Sequence, residues 1–284
     1  MRDRFDHLLT CVAEKRGAML LAGTTLLDVQ ANRDDVRIST TGGEVRARFL
    51  IAADGANSAV ARKTRRPELR DVVPALECEV SLEPVELERL GQTARFDFGF
   101  VPAGYAWIFP KRNHLSIGVL STQRGAANLP EYYRKYLDHL GIGRPLQEER
   151  HGYIIPCRPR ARLFELPRVL FVGDAAGLAD PVTAEGITAG ILSGQLAARA
   201  ILQARLDAGT VQQAYQVSLQ KKLLSDLRIA RRLAAVLYRW PRVRTRLLSR
   251  HGQRLSELVT QIVSGETTYG AIMRRSSNYL KLLR

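Results

Sequence analysis

A run of small residues follows a short apolar stretch in the second half of the chain. Residues 173–187 read GDAAGLADPVTAEGI, directly after the apolar residues 169–172, which predict a buried strand. Glycine and alanine let the backbone N–H groups and the positive end of the next helix, predicted over residues 184–205, face an anion or an electron-rich ring. Asp174, at the strand end, has the chemistry to accept hydrogen bonds from the hydroxyls of a sugar or ribityl chain. The alternative is a tight strand-to-helix junction, which so many small residues would weaken.

A second turn of similar chemistry follows an earlier apolar run. Residues 45–53 predict a strand whose last part, residues 49–53, is continuously apolar, as in strands that are buried on both faces. Asp54 and Gly55 come next and predict a tight turn whose backbone can approach a ligand and whose carboxylate can bind hydroxyls. An ordinary strand-to-helix turn would contain the same residues, so this segment alone leaves both interpretations open.

Aromatic side chains alternate along a third segment. Residues 104–111 read GYAWIFPK, and in a strand this spacing puts Tyr105, Trp107 and Phe109 on one face. Such a face is a suitable wall for an apolar chain or a flat ring, because aromatic side chains bury large apolar areas. The alternative is a stripe of aromatic residues that packs in the core.

The remaining elements surround these three segments. The spacing of apolar residues predicts an amphipathic helix over residues 4–16, and a largely helical, basic region after residue 206. An antiparallel layer is predicted between about residues 67 and 152, ending with a helix over residues 130–140. The predicted strands are residues 26–29, 36–40, 78–82, 94–101, 106–109 and 115–120.

Composition limits the kind of protein. The chain has 284 residues, 43 Lys and Arg against 28 Asp and Glu, and a formal net charge of +15, which favours anionic partners. Its three cysteines are far apart, which predicts neither a disulfide framework nor a metal site and fits a cytoplasmic location. It contains no run of about 18 apolar residues that could span a bilayer.

The order of these motifs resembles a known superfamily. The Asp54-Gly55 turn, an antiparallel insert, and then Gly173-Asp174-Ala175-Ala176 with Pro181 and Gly186 resemble the FAD-dependent hydroxylases and reductases related to p-hydroxybenzoate hydroxylase. The Tyr-x-Trp-x-Phe-Pro-Lys strand at residues 105–111 is similar to that of the geranylgeranyl reductases within this superfamily. A helix start like that at residues 2–6 carries an Arg near the flavin in the family, which indicates Arg4 or Arg2 here.

The resemblance implies a fold, a reaction and a set of site residues. The implied reaction is reduction of C=C bonds in a prenyl lipid or prenylated pigment by FAD, with NADPH or ferredoxin as possible electron donor. A flavin-free, vestigial scaffold that binds lipid or a partner, and an aromatic monooxygenase or halogenase, are the alternatives. The implied cofactor-binding residues are Arg4, Asp54, Gly55, Gly173, Asp174, Ala175, Pro181, Glu185, Gly186 and Ile187, and the implied substrate-binding residues are Tyr105, Trp107 and Phe109.

The chain departs from the family pattern at one important place. It contains no GxGxxG segment, which in the family lies N-terminal to the motifs above and holds the FAD pyrophosphate. We therefore expect a truncated protein with an α/β, incomplete glutathione-reductase-like FAD-binding domain, in which FAD binding is doubtful. The predicted divisions are residues 1–66 and 156–206 for that domain, 67–155 for an antiparallel substrate domain, and 207–284 for a C-terminal helical region. Ala184 is a smaller departure, because many relatives have Gly there.

The basic tail allows two interpretations. Residues 221–254 carry eleven Lys or Arg and a single Asp, interleaved with apolar residues at helical spacing. Such helices can lie on an anionic membrane, which would suit an enzyme that acts on a prenyl lipid. They can equally form a cap that packs its apolar face on the rest of the protein. No nucleic-acid-binding motif accompanies the charge.

Overall fold

The computed structural model describes residues 2–66, 69, 71–123 and 128–274, with only the backbone of residues 2 and 3. The helices are α1 (Arg2–Lys15), α2 (Ala59–Lys63), α3 (Pro84–Leu90), α4 (Leu129–His139), α5 (Gly173–Ala176), α6 (Ile187–Gln203), α7 (Ala208–Leu219), α8 (Ser225–Arg239), α9 (Pro241–Val263) and α10 (Tyr269–Arg274). The strands are β1 (Leu26–Ala31), β2 (Val36–Thr40), β3 (Gly43–Ala47), β4 (Leu50–Ala52), β5 (Val72–Ser81), β6 (Arg95–Phe98), β7 (Gly104–Pro110), β8 (Leu115–Ser121), β9 (Gln147–Pro156) and β10 (Val169–Phe171). A π-helical turn, Gln220–Leu224, joins α7 to α8.

The α/β part is built on two parallel strands. β10 pairs with β4 in the register Val169 with Leu50 and Phe171 with Ala52, so both strands end at the same edge of the sheet. Helices α6 and α7 pack on these strands, and the hydroxyl of Tyr215 in α7 donates to the carbonyl of Phe171 at 2.7 Å. The antiparallel sheet β1-β2-β3 packs beside them. The predicted α/β class is confirmed.

A five-stranded antiparallel sheet forms the second layer. Its strand order is β6-β7-β8-β5-β9, and the tyrosine-tryptophan strand β7 lies between β6 and β8. The sequence did not predict β9, because its first half, Gln147 to His151, is polar and lacks the alternation of a half-buried strand. A charged strand at a sheet edge is a common protection against pairing with other chains.

The two faces of this sheet pack against different partners. Ala106 and Ile108 point to one face and join a core with α4, whereas Tyr105 and Trp107 point to the other face and pack with α8. Phe109 packs partly buried against this second core. The prediction that the three aromatic residues share one face is therefore confirmed.

The basic tail folds back over the molecule. Three buried positions of α8 lie in the same core as Tyr105 and Trp107, namely Ala230, Ala234 and Tyr238, and Leu227 of α8 is buried in the core of the α/β part. α9 is kinked at His251, whose backbone is not helical. For α8 the interpretation as a packing cap is thus correct. Within the described part of the chain, no helix has the length and apolar character to cross a bilayer.

Three expectations about the elements were wrong. The run over residues 45–53 divides into β3 and β4, and Ile51 is 36% exposed, so β4 is not buried on both faces. The helix predicted from residue 184 begins at Ile187 instead. The reason is local, because Ala184 has a left-handed backbone (φ 59°) that cannot continue into a right-handed helix. The predicted domain boundaries stay a prediction.

Candidate cofactor and substrate site

A cavity of about 620 Å³ opens where β4 and β10 end. Six of the predicted cofactor-binding residues line it: Gly55, Gly173, Asp174, Glu185, Gly186 and Ile187. Trp107 and Phe109 of the antiparallel sheet line the same cavity from the other side. The structure thus brings the Asp-Gly turn, the glycine-rich loop and two of the three aromatic residues together around one space.

The loop after β10 is held close to α6. The N–H of Gly173 donates to Oγ of Ser193 at 2.9 Å, and a Cβ added to Gly173 would lie 3.3 Å from Cα of Gly190. Oδ1 of Asp174 lies 3.0 Å from the point where a Cβ on Gly186 would stand. Any side chain at residue 186 would therefore press on this carboxylate, so Gly186 keeps the space beside Asp174 open.

The N-terminus of α6 faces the same cavity. Gly186 is the cap residue, and the carboxylate of Glu185 accepts the N–H of Thr188 at 2.8 Å. The sequence predicted a cofactor role for Glu185, and the structure also gives it this role in the helix start. The positive end of the helix dipole and its free N–H groups favour an electron-rich group in the cavity.

Four predicted cofactor residues do not line this cavity. The Arg4 side chain is exposed, although Phe5 and Asp6 beside it do line the cavity, and Arg2 has no described side chain. Oδ2 of Asp54 accepts the N–H of Val60 at 2.9 Å, so this exposed carboxylate is also used at the start of α2. Ala175 and Pro181 are buried in the fold. The structure thus does not bring these four residues to the surface of the cavity.

The aromatic wall is held by small and polar neighbours. A Cβ at Gly118 would stand 2.1 Å from Cζ2 of Trp107, so the indole lies flat on β8 only because residue 118 is glycine. The indole N–H donates to Oγ of Ser116 at 3.4 Å, and Ser116 in turn donates a short hydrogen bond to the carboxylate of Glu77. Glu77 also lines the cavity. No local pattern marks Glu77, because its position beside Trp107 depends on the pairing of β5 with β8.

Two further cavities lie next to one another beyond the first. One of about 520 Å³ contains Tyr105 and shares Trp107 and Phe109 with the first cavity. Another of about 760 Å³ shares Phe96 with the second and extends to Leu248 and Gly252 near the kink of α9. We call this series of three cavities the apolar channel. It runs between the antiparallel sheet and α9, whose Val259 lines the second and third cavities.

Three tyrosine hydroxyls from three elements hold the loop that precedes α6. Tyr105 donates to the carbonyl of Thr183 at 2.6 Å, and Tyr238 of α8 donates to the carbonyl of Val182 at 2.5 Å. Tyr269 of α10 donates to Oδ1 of Asp180 at 3.1 Å. That same oxygen accepts the N–H groups of Val182 and Thr183 at 2.7 and 3.0 Å. The C-terminal helices are thereby connected to the cavity loop.

Burial changes the acidity of this loop cluster. Burial raises the pKa of Asp180, while the backbone N–H groups and Tyr269 act in the opposite direction. Burial likewise raises the pKa of Tyr105, of Tyr269 and of the Cys157 thiol, the last to about 12. Asp180 lies in the predicted segment, but the three tyrosines that donate to this loop are far away in sequence. No local pattern could have identified them.

A buried arginine supports the loop from beneath. Arg160 is 7% exposed, its Nε donates to the carbonyl of Ala175 at 3.0 Å, and its guanidinium lies over the ring of Phe171. Burial lowers the pKa of Arg160, and the charge of Asp54 opposes this. Arg160 therefore connects the two predicted ligand turns electrostatically. Nothing in the local sequence distinguishes Arg160 from the many other arginines of the chain.

Parallel strands that end at a glycine-rich loop and a helix N-terminus are typical of folds that bind nucleotide cofactors. A family model described as "FAD binding domain" matches residues 2–210. The chain therefore belongs to the FAD-binding domain family, as the motifs predict.

Curated relatives agree with this assignment. An uncharacterized protein of Methanosarcina barkeri is 33% identical over 84% of this chain and 60% of its own length. Digeranylgeranylglycerophospholipid reductase 2 of Methanothermobacter thermautotrophicus is 32% identical over 80% of this chain and 61% of its own length. A menaquinone reductase of Mycolicibacterium smegmatis is 28% identical over 83% of this chain and 61% of its own length. The chain thus spans about three fifths of the length of these relatives.

Solved structures agree on the fold. A geranylgeranyl bacteriochlorophyll reductase-like protein of Thermoplasma acidophilum superposes with a TM-score of 0.72 at 24% identity, over 86% of this chain and 66% of its own. The flavin-dependent halogenase CmlS superposes with a TM-score of 0.60 at 20% identity, over 80% of this chain and 45% of its own. At these identities the likeness concerns the fold alone.

The first cavity fits the flavin end of FAD. Its glycine backbone, the space that Gly186 leaves beside Asp174 and the helix N-terminus of α6 supply groups that bind a polyol chain and an electron-rich ring. The aromatic wall faces this position from the antiparallel sheet. The described residues thus fit the ribityl and ring portions of the cofactor.

Proposed function

We propose that the protein is an FAD-dependent reductase that reduces C=C bonds of a prenyl lipid or a prenylated pigment. The observation that carries this proposal is the apolar channel, which joins the flavin-sized cavity to a long apolar space beneath α9. A prenyl chain is long, flexible and apolar, and its burial in such a channel is favourable by about 25 cal/mol per Å² of apolar surface.

Different residues of the chain bind the cofactor and the substrate in this proposal. Asp174 binds hydroxyls of the ribityl chain, and Gly173 and Gly186 let the backbone approach it closely. FAD, once bound and reduced by the proposed external reductant, NADPH or ferredoxin, would supply the hydride. Trp107 and Phe109 pack against the reacting end of the prenyl chain and exclude water from it, and Tyr105 lines the space behind them.

Reduction of a C=C bond also needs a proton at the second carbon. We assign its delivery to Glu77, whose carboxyl lines the cavity and connects through Ser116 to the Trp107 indole. In this step the carboxyl O–H bond breaks and a C–H bond forms at the carbon next to the one that receives the hydride. Solvent at the cavity mouth then returns the proton to Glu77.

The test begins with cofactor binding. The purified protein is mixed with FAD, and bound flavin is measured by its absorbance and by equilibrium dialysis. Gly186→Val, which places a side chain against Asp174, should abolish binding, whereas Gly194→Ala on the same helix, where an added Cβ meets nothing within 4 Å and the residue does not line the cavity, should retain it. A folded protein that binds no flavin would contradict the proposal and favour the flavin-free scaffold.

The reaction itself is tested on the flavin-loaded protein. With a chemical or NADPH reductant and a geranylgeranyl lipid, mass spectrometry should show a gain of two hydrogens for each reduced double bond. Glu77→Gln should lower turnover by about two orders of magnitude while flavin absorbance is unchanged. A product that gains an oxygen or a halogen atom instead would show a monooxygenase or halogenase.

A further inference from the structure

The corner between α8 and α9 combines cations with exposed apolar side chains. Trp240 is 59% exposed and Val243 is 41% exposed, and both stand among the exposed residues Arg239, Arg242 and Arg246. We call these five residues the α8–α9 corner. Apolar side chains of this size are unfavourable in water, and an amphipathic tryptophan beside arginines is typical of a membrane–water interface.

The corner is held in place by a residue that turns inward. Arg244 is 7% exposed, and its guanidinium donates to the carbonyl of Leu237 at 3.3 Å and lies close to Gly99 in the loop after β6. The helix thus directs Arg244 into the protein, while Arg242 and Arg246 on either side stay in solvent. A rigid support of this kind keeps Trp240 and Val243 exposed instead of letting them collapse onto the core.

The charge of the whole segment fits one type of surface. Residues 221–254 contain eleven Lys or Arg and one Asp, and the described side chains of Arg228, Arg231, Arg232, Arg250 and Arg254 are exposed as well. An anionic bilayer attracts such a segment electrostatically and accepts the apolar side chains at the boundary between headgroups and acyl chains. Nucleic acid offers the same negative charge but no apolar phase for Val243.

We propose that the α8–α9 corner docks the protein on an anionic lipid bilayer, with Trp240 and Val243 in the interface. Leu248, which lines the far cavity of the apolar channel, lies eight residues along α9 from Trp240, about 12 Å at the helical rise. Docking at this corner brings the kinked part of α9 and the end of the channel to the membrane surface. This docking surface goes beyond the proposed reaction and does not depend on flavin.

The test is sedimentation of the purified chain with vesicles. We expect strong binding to phosphatidylcholine vesicles containing about 30% phosphatidylglycerol, weak binding to pure phosphatidylcholine, and loss of binding at high salt. Trp240→Ala with Val243→Ser should weaken binding about tenfold. Val85→Ser, which removes a 78% exposed valine from α3, is the matched control and should leave binding within about twofold.

A second comparison separates local docking from the effect of net charge. Arg242→Glu with Arg246→Glu should abolish binding, whereas Arg112→Glu with Arg199→Glu, the same charge change at exposed positions elsewhere, should retain most of it. In the Trp107→Phe background, Trp240 is the remaining tryptophan, and its emission should shift to the blue on binding. Equal losses in both double variants, no emission shift, or binding to an oligonucleotide but not to vesicles would each overturn the proposal. Because no flavin or substrate is present, these outcomes are independent of the reductase activity.

Discussion

Ala184 holds a conformation that disfavours its own side chain. Its φ of 59° lies in the left-handed region, where a non-glycine residue costs about 1–2 kcal/mol. The residue precedes Glu185 and Gly186, which line the flavin-sized cavity, so the strain is located where the chain turns into α6. Two backbone hydrogen bonds close the turn that enforces this conformation. The N–H of Asp180 donates to the carbonyl of Glu185, and the N–H of Ala184 donates to the carbonyl of Asp180, both at 2.8 Å.

Replacing Ala184 with Gly should therefore stabilise the protein. The relief of strain exceeds the entropy that Gly adds to the unfolded chain, so the free energy of unfolding should rise by about 0.5–1 kcal/mol in urea titrations. The control is Ala198→Gly at an exposed helical position of α6, which should lower the same quantity by about 1 kcal/mol. A loss of stability in Ala184→Gly would contradict the assigned strain.

Gly118 is the second position where the absence of a side chain matters. Gly118→Ala places a methyl group inside the Trp107 ring, and the forced displacement should cost about 1–3 kcal/mol of unfolding free energy. The indole should move toward the cavity, which tryptophan emission and near-UV circular dichroism would report. Gly143→Ala, where an added Cβ meets nothing within 4 Å, should leave both spectra unchanged.

At the scale of elements, the loop of residues 180–184 joins four parts of the protein. Strand β7 and helices α8 and α10 each contribute a tyrosine hydroxyl to it, and α6 follows directly. α10 is further fixed to α8, because the Asp226 carboxylate accepts the N–H groups of Tyr269 and Gly270 at 3.2 and 2.7 Å. The C-terminal helices are thus connected by hydrogen bonds to the loop that forms part of the cavity wall.

The raised pKa of Asp180 predicts how stability depends on pH. The folded protein binds this proton more tightly than the unfolded chain, whose value is about 3.8. Asp180 therefore stabilises the fold most below that value and loses this contribution as the pH rises through the folded-state pKa. We therefore expect the difference in free energy of unfolding between the wild type and Asp180→Asn to fall as the pH rises from about 3.8 through the folded-state pKa of Asp180. Urea titrations at a series of pH values measure this difference.

Asp207 provides a control of opposite sign for this experiment. Its hydrogen bonds with Thr210 at the start of α7 lower its pKa, so its contribution is present above the unfolded value and is lost as the pH falls. The difference in free energy of unfolding between the wild type and Asp207→Asn should therefore change with pH in the opposite direction. If both differences in free energy of unfolding change with pH in the same direction, the raised pKa assigned to Asp180 is wrong.

The elements near the site could be predicted where the chemistry is local. The pattern of residues 169–187 predicted a strand, a loop and a helix in the correct order. The alternation of Tyr105, Trp107 and Phe109 correctly predicted that they share one face of the sheet. Glu77, Arg160 and Tyr269 could not be found in this way. Their roles depend on strand pairing and on helices that return from distant parts of the chain, which a local pattern does not encode.

At the scale of the whole molecule, the apolar channel predicts how chain length affects binding. Val259 of α9 lines both the second and the third cavities, so Val259→Phe narrows the channel between them. Binding of a geranylgeranyl lipid should weaken about tenfold or more, whereas a short dimethylallyl analogue that needs only the first cavity should bind normally. Isothermal calorimetry on the flavin-loaded protein measures both. Val263→Phe, farther along α9, lines the second cavity but not the third and should have a smaller effect.

The burial of Cys157 has a consequence for how the protein can be observed. Its thiol contacts the carbonyl of Asp180 at 3.7 Å, and with a pKa near 12 it is almost never a thiolate at neutral pH. Alkylating reagents can therefore modify it only during transient opening of the surrounding structure. The labelling rate of Cys157 therefore measures how often the structure around the loop opens. It can be measured in the unmutated protein without any ligand.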